Sequence, residues 1–166
     1  MAVDSYRFLP RSMRAMYESA PAIDEPPAWA PLPKPIERCT IALMTSAGVF
    51  LKDGQQGFDE EREWREPTSG DPTYRVIPTD VRQDQIGCSH LHINHTDLLE
   101  DIDVVLPFRA FKALQAEGRI GKLADEAYSF MGYQDRRLEE WRTVQGPELA
   151  ASLKEQAVDV LLLAPA

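Results

Sequence analysis

The sequence predicts an α/β fold: a single layered domain with a mostly parallel sheet, preceded by a proline-rich N-terminal arm. Three observations carry this. Residues 39–44 (CTIALM) and 158–163 (VDVLLL) are apolar runs with the length and weak alternation of strands covered on both faces. Amphipathic segments with helix start and stop signals lie between them. The order strand, helices, strand suits parallel strands with helices packed on the sheet. The expected division is residues 1–36 for a helix and arm, and residues 37–166 for the α/β domain.

Each element has its own reason. Residues 5–18 suit a short helix broken near Pro10, with Met13, Met16 and Tyr17 on one stripe. Pro21, Pro26, Pro27, Pro31, Pro33 and Pro35 exclude a helix and predict an extended arm, pinned to the body by Trp29. The first buried strand ends in Thr45-Ser46-Ala47-Gly48. Small residues there let a ligand approach the backbone at the carboxyl end of a strand, although Gly48 also suits a plain turn. Residues 53–72 are polar, with Gly54, Gly57 and Gly70 and charges from Asp59 to Glu63, and read as a long excursion serving as a lid or an oligomer contact. Tyr74-Arg75-Val76-Ile77 reads as a short strand closed by Pro78. After a brief apolar segment at 104–106, Pro107 suits the first turn of a helix running to Glu117 and stopped by Gly118, with Phe108, Phe111 and Leu114 on its packed face. Residues 122–127 read as another helix, leading into Tyr128-Ser129-Phe130-Met131-Gly132. Pro147 opens a last helix to about Gln156, with Leu149 and Leu153 one turn apart. The sequence ends three residues after its last apolar run. In α/β proteins the loop after a central strand often carries function, so the expectation is a truncated relative or an assembly in which another chain completes the site.

The chemistry concentrates in Cys88-Ser89-His90-Leu91-His92-Ile93-Asn94-His95-Thr96-Asp97. This stretch holds all three histidines and one of the two cysteines. Imidazole binds zinc, copper and iron and moves protons near neutral pH. If residues 88–93 form a strand, His90 and His92 share a face with Cβ atoms roughly 6–7 Å apart. A turn at Asn94 would bring back His95 or Asp97. His90, His92 and His95 would then supply three ligands with a position left open, and Asp97, Asp101 or Asp103 a fourth ligand or an orienting partner. The alternative is a set of structural polar residues at a strand end.

Composition narrows the classes. The net charge is −9, with 43% hydrophobic and 27% charged residues. That is a globular composition without the clustered cations that nucleic acid or anionic membranes require. No long apolar run suggests a membrane span, and no signal-peptide core is evident at the N-terminus. Two cysteines make no disulfide framework, so the expected compartment is the cytoplasm.

Several stretches, taken in order, resemble the selenoprotein B family of the glycine, sarcosine, betaine and D-proline reductases. They are Trp29-Ala30-Pro31-Leu32-Pro33-Lys34-Pro35, residues 41–49 (IALMTSAGV), residues 70–78 (GDPTYRVIP), Ser89-His90-Leu91-His92, Leu106-Pro107-Phe108-Arg109, residues 116–121 (AEGRIG) and Tyr128-Ser129-Phe130-Met131-Gly132. The resemblance runs from about residue 29 to the end. It implies an oxidoreductase scaffold whose active members cleave a C–N bond reductively. They use a selenocysteine or cysteine beyond the strand that corresponds to residues 158–163. Cys39 and Cys88 do not match that position.

Three functional expectations follow. The first is a metal-dependent enzyme on a small amino-acid-like substrate: His90, His92 and His95 hold zinc, iron or copper, Asp97 acts as ligand or proton acceptor, and Ser46 with the backbone near Gly48 holds a substrate carboxylate. The second is a thiol-dependent reductase or lyase with Cys88 as nucleophile, its thiolate favoured by a protonated His90. The third is a non-catalytic subunit of a reductase-like complex, as a homo-oligomer or with a partner chain. Tyr128 and Tyr133 are candidate pocket residues. Arg109, Arg136, Arg137 and Arg142 are expected to be solvated or paired with surface acids, and Trp64 and Trp141 to be packing.

Overall fold

A computed structural model describes residues 9–18, 30–66, 70–134 and 137–166, apart from the side chains of Met13, Met16 and Tyr17. The predicted apolar stripe of the first helix, the Trp29 pin, the first prolines of the arm and Arg136 lie outside what is described. Two compact units emerge, residues 1–31 and 32–166. The first contains helix α1 (Arg11–Glu18). Everything below concerns the second.

The sheet is built around β1 (Thr40–Thr45). On one side, β5 (Lys122–Leu123) pairs in parallel with its start and β6 (Glu126–Phe130) in parallel with its end, so these two short strands share one lane. On the other side, β7 (Val160–Ala164) runs parallel over the whole length, Ile41 facing Val160 and Thr45 facing Ala164. β3 (Tyr74–Pro78) adds antiparallel to β6 and makes the sheet mixed. A separate antiparallel pair joins β2 (Val49–Leu51) to β4 (Ile86–Cys88). The predicted α/β class with a mostly parallel sheet therefore holds.

Alternation along β1 explains its composition. Ile41 and Leu43 point into one core, with Ile77, Ile86, Leu98 and Leu106. Ala42 and Met44 point into a second, with Tyr128 and Leu149. A strand covered on both faces has no polar side, which is why the run reads as continuous. Leu43 is 0% exposed, and such burial is worth about 1.5–3 kcal/mol.

Helix α4 (Phe108–Ala116) presents Phe108, Phe111 and Leu114 to the first core, as its spacing predicts. It stops where Gly118 takes a φ of +69° and Arg119 N–H returns to Leu114 O. Short helix α5 (Leu138–Glu140) runs through a π-helical stretch, Trp141–Gln145, into α6 (Gly146–Glu155). Leu149 and Leu153 of α6 cover the second core. Gly146 N–H donates to Trp141 O, and a Cβ at residue 146 would come 2.7 Å from that oxygen, so the wide turn needs glycine.

Two expectations of secondary structure need correction. Residues 122–127 are not helical; they carry β5 and the start of β6, because the sheet needs that lane filled beside β1. The histidine stretch is not a strand over residues 88–93 either. β4 stops at Cys88, a turn follows, and helix α3 (His95–Glu100) begins under a cap, Asn94 Oδ1 accepting from Thr96 N–H at 2.9 Å.

The polar excursion folds back on the body. Its helix α2 (Glu60–Arg65) is capped by Asp59, which accepts from Arg62 N–H at 3.0 Å. Arg75 of β3 pins the excursion, donating to Gln56 O and Gly57 O and stacking 4.2 Å from the Phe58 ring centre. Trp64 is 73% exposed and not part of a core, contrary to its expected packing role. Among the described residues no helix is long and apolar enough to cross a membrane.

Candidate functional site

The turn between β4 and α3 sets the histidines in three different environments. His90 is 5% exposed; its Nδ1 accepts from His92 N–H at 3.2 Å, and its buried Nε2 has no hydrogen-bond partner. Burial, and then the neighbouring His92 and His95, push its pKa down, so it is neutral at neutral pH. His95, the first residue of α3, turns its Nε2–H back to the His90 carbonyl. His92 is exposed, and its ring stands edge-on to His90 with centroids 6.0 Å apart.

The three imidazoles are spent on different tasks and share no focus. Asp97 lies exposed on α3, beside Glu100, Asp101 and Arg109. Asp101 and Asp103 are both paired with Arg109. Among the described residues, no group of three His, Cys, Asp or Glu side chains is placed to hold a metal ion. In this arrangement the three histidines do not converge on one point.

The turn does meet a residue that sequence reasoning passed over. Glu63 of α2 is 6% exposed, with Oε1 3.7 Å from His92 Nε2 and Oε2 buried without a partner. Burial raises its pKa; His92 and a hydrogen bond from the Leu91 amide pull it back, while Glu60 adds to the rise. The result is a buried carboxyl with one unsatisfied oxygen beside the exposed ring of His92, an arrangement suited to proton exchange with a bound ligand.

Glu63 also borders a cavity of about 190 Å³, with Arg62, Asp71, Thr73, Arg137 and Glu140 around it. Arg137 reaches Glu140 at 3.0 Å, yet its buried Nε has no partner. Gln134 donates to Asp71 O and Met131 O and leaves its own buried Oε1 unmatched. At this small cavity Glu63 Oε2 is an unmatched acceptor and Arg137 Nε an unmatched donor, chemistry suited to a polar ligand.

The loop after β1 turns out to be closed by its own bonds. Ala47 N–H donates to Thr45 Oγ1, Gly48 N–H to Phe130 O at 3.0 Å, and Val49 N–H to Ser129 Oγ at 2.7 Å. Gly48 has φ +65°, and a Cβ there would come 2.3 Å from Ser89 O. It is glycine because the histidine turn packs on it, and its amide is not free for a substrate carboxylate. Ser46 Oγ accepts from Ala166 N–H at 2.9 Å, and the residue borders a mostly apolar cleft of about 480 Å³ with Met44, Phe130, Trp141 and Leu163. Tyr128 lines neither space. It is 0% exposed in the second core, and its hydroxyl accepts from Gln156 Nε2–H at 2.8 Å. Tyr133 is 44% exposed, and its carbonyl lies against Gly70.

Residues 15–166 match the family described as glycine/sarcosine/betaine reductase selenoprotein B. The chain belongs to that family. It is 34% identical over 141 residues to the D-proline reductase subunit gamma of Acetoanaerobium sticklandii, an alignment covering 85% of this chain and 54% of the relative. It is 30% identical over 144 residues to the glycine reductase complex component B subunit gamma of Carboxydothermus hydrogenoformans, covering 86% of this chain and 31% of the relative. The chain thus spans only about half or a third of the length of these relatives. No solved structure matches it.

For a member of a reductase family, the state of the two cysteines matters most. Cys39 is 0% exposed, and its thiol faces Lys34 O and Pro35 O at 3.4 and 3.5 Å. Cys88 donates its S–H to Ala47 O at 3.2 Å, and burial, helped by Glu60, pushes its pKa up to about 11. The expected activation of Cys88 by a protonated His90 is reversed: the imidazole is neutral and the thiol stays protonated. Glu63 and Arg137 carried no local signal. Each looks like a surface charge on a polar segment and becomes special only when that segment folds onto the turn.

Proposed function

We propose that this chain is a subunit of a selenoprotein B-type reductase assembly. In this role the described fold supplies binding and proton-handling groups for a small amino-acid-like substrate, and neither Cys39 nor Cys88 is the redox sulfur. The observation that carries the reading is the state of its cysteines: both thiols are tied to carbonyls, and Cys88 is held protonated, inside a chain whose family is a reductase family. The relatives' names add that one acts on D-proline and the other is a component of a glycine reductase complex.

The cavity beside Glu63 supports a zwitterionic substrate. Arg62 and Arg137 can meet a carboxylate, and Glu63, Asp71 and Glu140 can meet an amine. At this cavity Glu63 offers an unsatisfied carboxyl oxygen for a proton that moves when a C–N bond is cleaved.

The test is the Cys39→Ser/Cys88→Ser double variant, assayed with its partner subunits for reductive cleavage of D-proline and of glycine. The double variant is expected to retain most of the activity of the parent assembly. Loss of a nucleophile removes activity by orders of magnitude, so such a loss in a folded variant would return the chemistry to this chain's own thiols.

A further inference from the structure

The cavity beside Glu63 is lined by four carboxylates, Asp59, Glu63, Asp71 and Glu140. Three of them are already engaged inside the fold. Asp59 caps α2 by accepting from Arg62 N–H at 3.0 Å. Asp71 Oδ1 accepts from both the amide and the hydroxyl of Thr73. Glu140 pairs with Arg137 at 3.0 Å. Glu63 differs. It is 6% exposed, its Oε1 lies 3.7 Å from His92 Nε2, and its buried Oε2 has no hydrogen-bond partner among the described residues. A carboxylate oxygen can only accept, so Oε2 calls for an N–H or O–H donor. A buried acceptor without one costs free energy until a donor reaches it.

The rest of the lining narrows what that donor belongs to. Arg137 Nε, buried and unmatched, can take a carboxylate. The volume of about 190 Å³ corresponds to roughly six waters at about 30 Å³ each, which suits a ligand of few heavy atoms. No aromatic ring is among the described lining residues. Phe58, next in sequence to Asp59, gives its ring to Arg75, 4.2 Å from the ring centre. A quaternary ammonium has no N–H to donate, and proteins recognise it with aromatic faces.

We infer that this cavity selects amino acids whose nitrogen carries at least one N–H, and that Glu63 is the residue that makes the selection. Primary, secondary and tertiary ammonium groups can each donate to Oε2. A quaternary one leaves it unpaired, and a site built to hydrogen-bond a ligand rejects the analogue that lacks the donor. The inference rests on the zwitterion reading of this cavity above. It adds which nitrogen is accepted and which of the four carboxylates decides.

The experiment is titration calorimetry of the full chain with glycine and its N-methyl, N,N-dimethyl and N,N,N-trimethyl derivatives. The series adds bulk evenly and removes the last N–H only at its final step. In the parent, Kd should change less than about fivefold per methyl up to dimethylglycine, then rise at least about tenfold at trimethylglycine. Glu63→Leu removes both oxygens at similar volume, and the final step should shrink to the size of the earlier ones. Glu63→Gln is measured beside it, so that the test survives if the leucine variant does not fold. Loss of the charge should weaken the three N–H ligands at least about tenfold and narrow their lead over trimethylglycine. An even weakening across all four ligands in the parent would assign the selection to size and overturn the inference. Trimethylglycine bound as tightly as glycine overturns it too, and leaves the zwitterion reading standing. A final step that persists in the folded variants takes the role from Glu63. No binding by any of the four up to about 10 mM overturns this inference and the zwitterion reading together.

Discussion

Strands β1 and β7 lie side by side in perfect register, and their sequences promise the same thing. β1 receives it: neighbours on both edges, a core on each face, and a following loop in which the Ala47, Gly48 and Val49 amides are bonded within the fold. β7 receives half: one neighbour among the described residues, two partly buried residues and two exposed leucines. An apolar run therefore does not by itself report how far a strand is covered.

The largest effect that can sharpen this contrast is on stability. Leu43→Ala should cost about 2–5 kcal/mol, because it opens a cavity between packed layers. Leu162→Ala, at the register position beside it, should cost about 1 kcal/mol or less, since the side chain is partly in solvent. Urea unfolding of both variants measures this directly. Equal losses would mean that β7 is as well covered as β1, and the contrast would collapse.

The exits of the two strands give the next effect. Gly48→Ala forces a side chain at positive φ into the Ser89 carbonyl, and should cost roughly 1–3 kcal/mol and disturb the histidine turn packed on it. Near-parent stability in urea would show that the loop has slack, and that its amides can be released to a ligand after all.

What the sequence revealed divides along the same line. β1, β3, α4 and α6 were legible because each carries its own signal, a continuous run, a proline or a glycine stop. β6 was misread over residues 122–127 because β5 and β6 together fill one lane, a feature of the sheet that leaves no periodicity behind. The histidine segment was found, but its geometry was not. Asn94 reads as a turn residue and is in fact the cap of α3, which rotates His95 toward a backbone carbonyl. Glu63 was invisible because its burial depends on contact between residues distant in sequence.

Glu63 is the reverse of the β7 leucines, a charged residue that is buried where they are apolar and exposed. Its folded pKa lies above its ordinary value of 4.5, chiefly through burial. Between 4.5 and that raised value the folded chain keeps a proton that the unfolded chain has released, so stability falls as pH rises through this window. His90 works in the opposite sense: its folded pKa lies below 6.5, so it adds stability as pH rises toward 6.5. Glu63→Gln removes only the first contribution. The variant should match the parent near pH 4 and become progressively more stable than it toward pH 7, as read from urea midpoints across that range. A difference independent of pH would show that the carboxyl already has a partner for its charge.

The smallest expected effect concerns the histidines, and its smallness is the point. A resident ion at 100 times its dissociation constant stabilises a fold by about 2.7 kcal/mol. In a domain of this size that raises the melting midpoint by roughly 5–10 °C. Here His95 is bonded to the His90 carbonyl, His90 uses Nδ1 to hold the His92 amide, and His92 leans toward Glu63. Binding an ion across all three would require breaking the first two bonds and turning His90 out of its buried site, which offsets much of what coordination gains. Zinc, iron or copper should therefore move the midpoint by less than about 1 °C, in the parent and in His90→Ala/His92→Ala alike. A rise of several degrees in the parent, absent from the double variant, would show that the turn rearranges around an ion. The bonds His90 and His95 now make would then be one of two arrangements open to the turn.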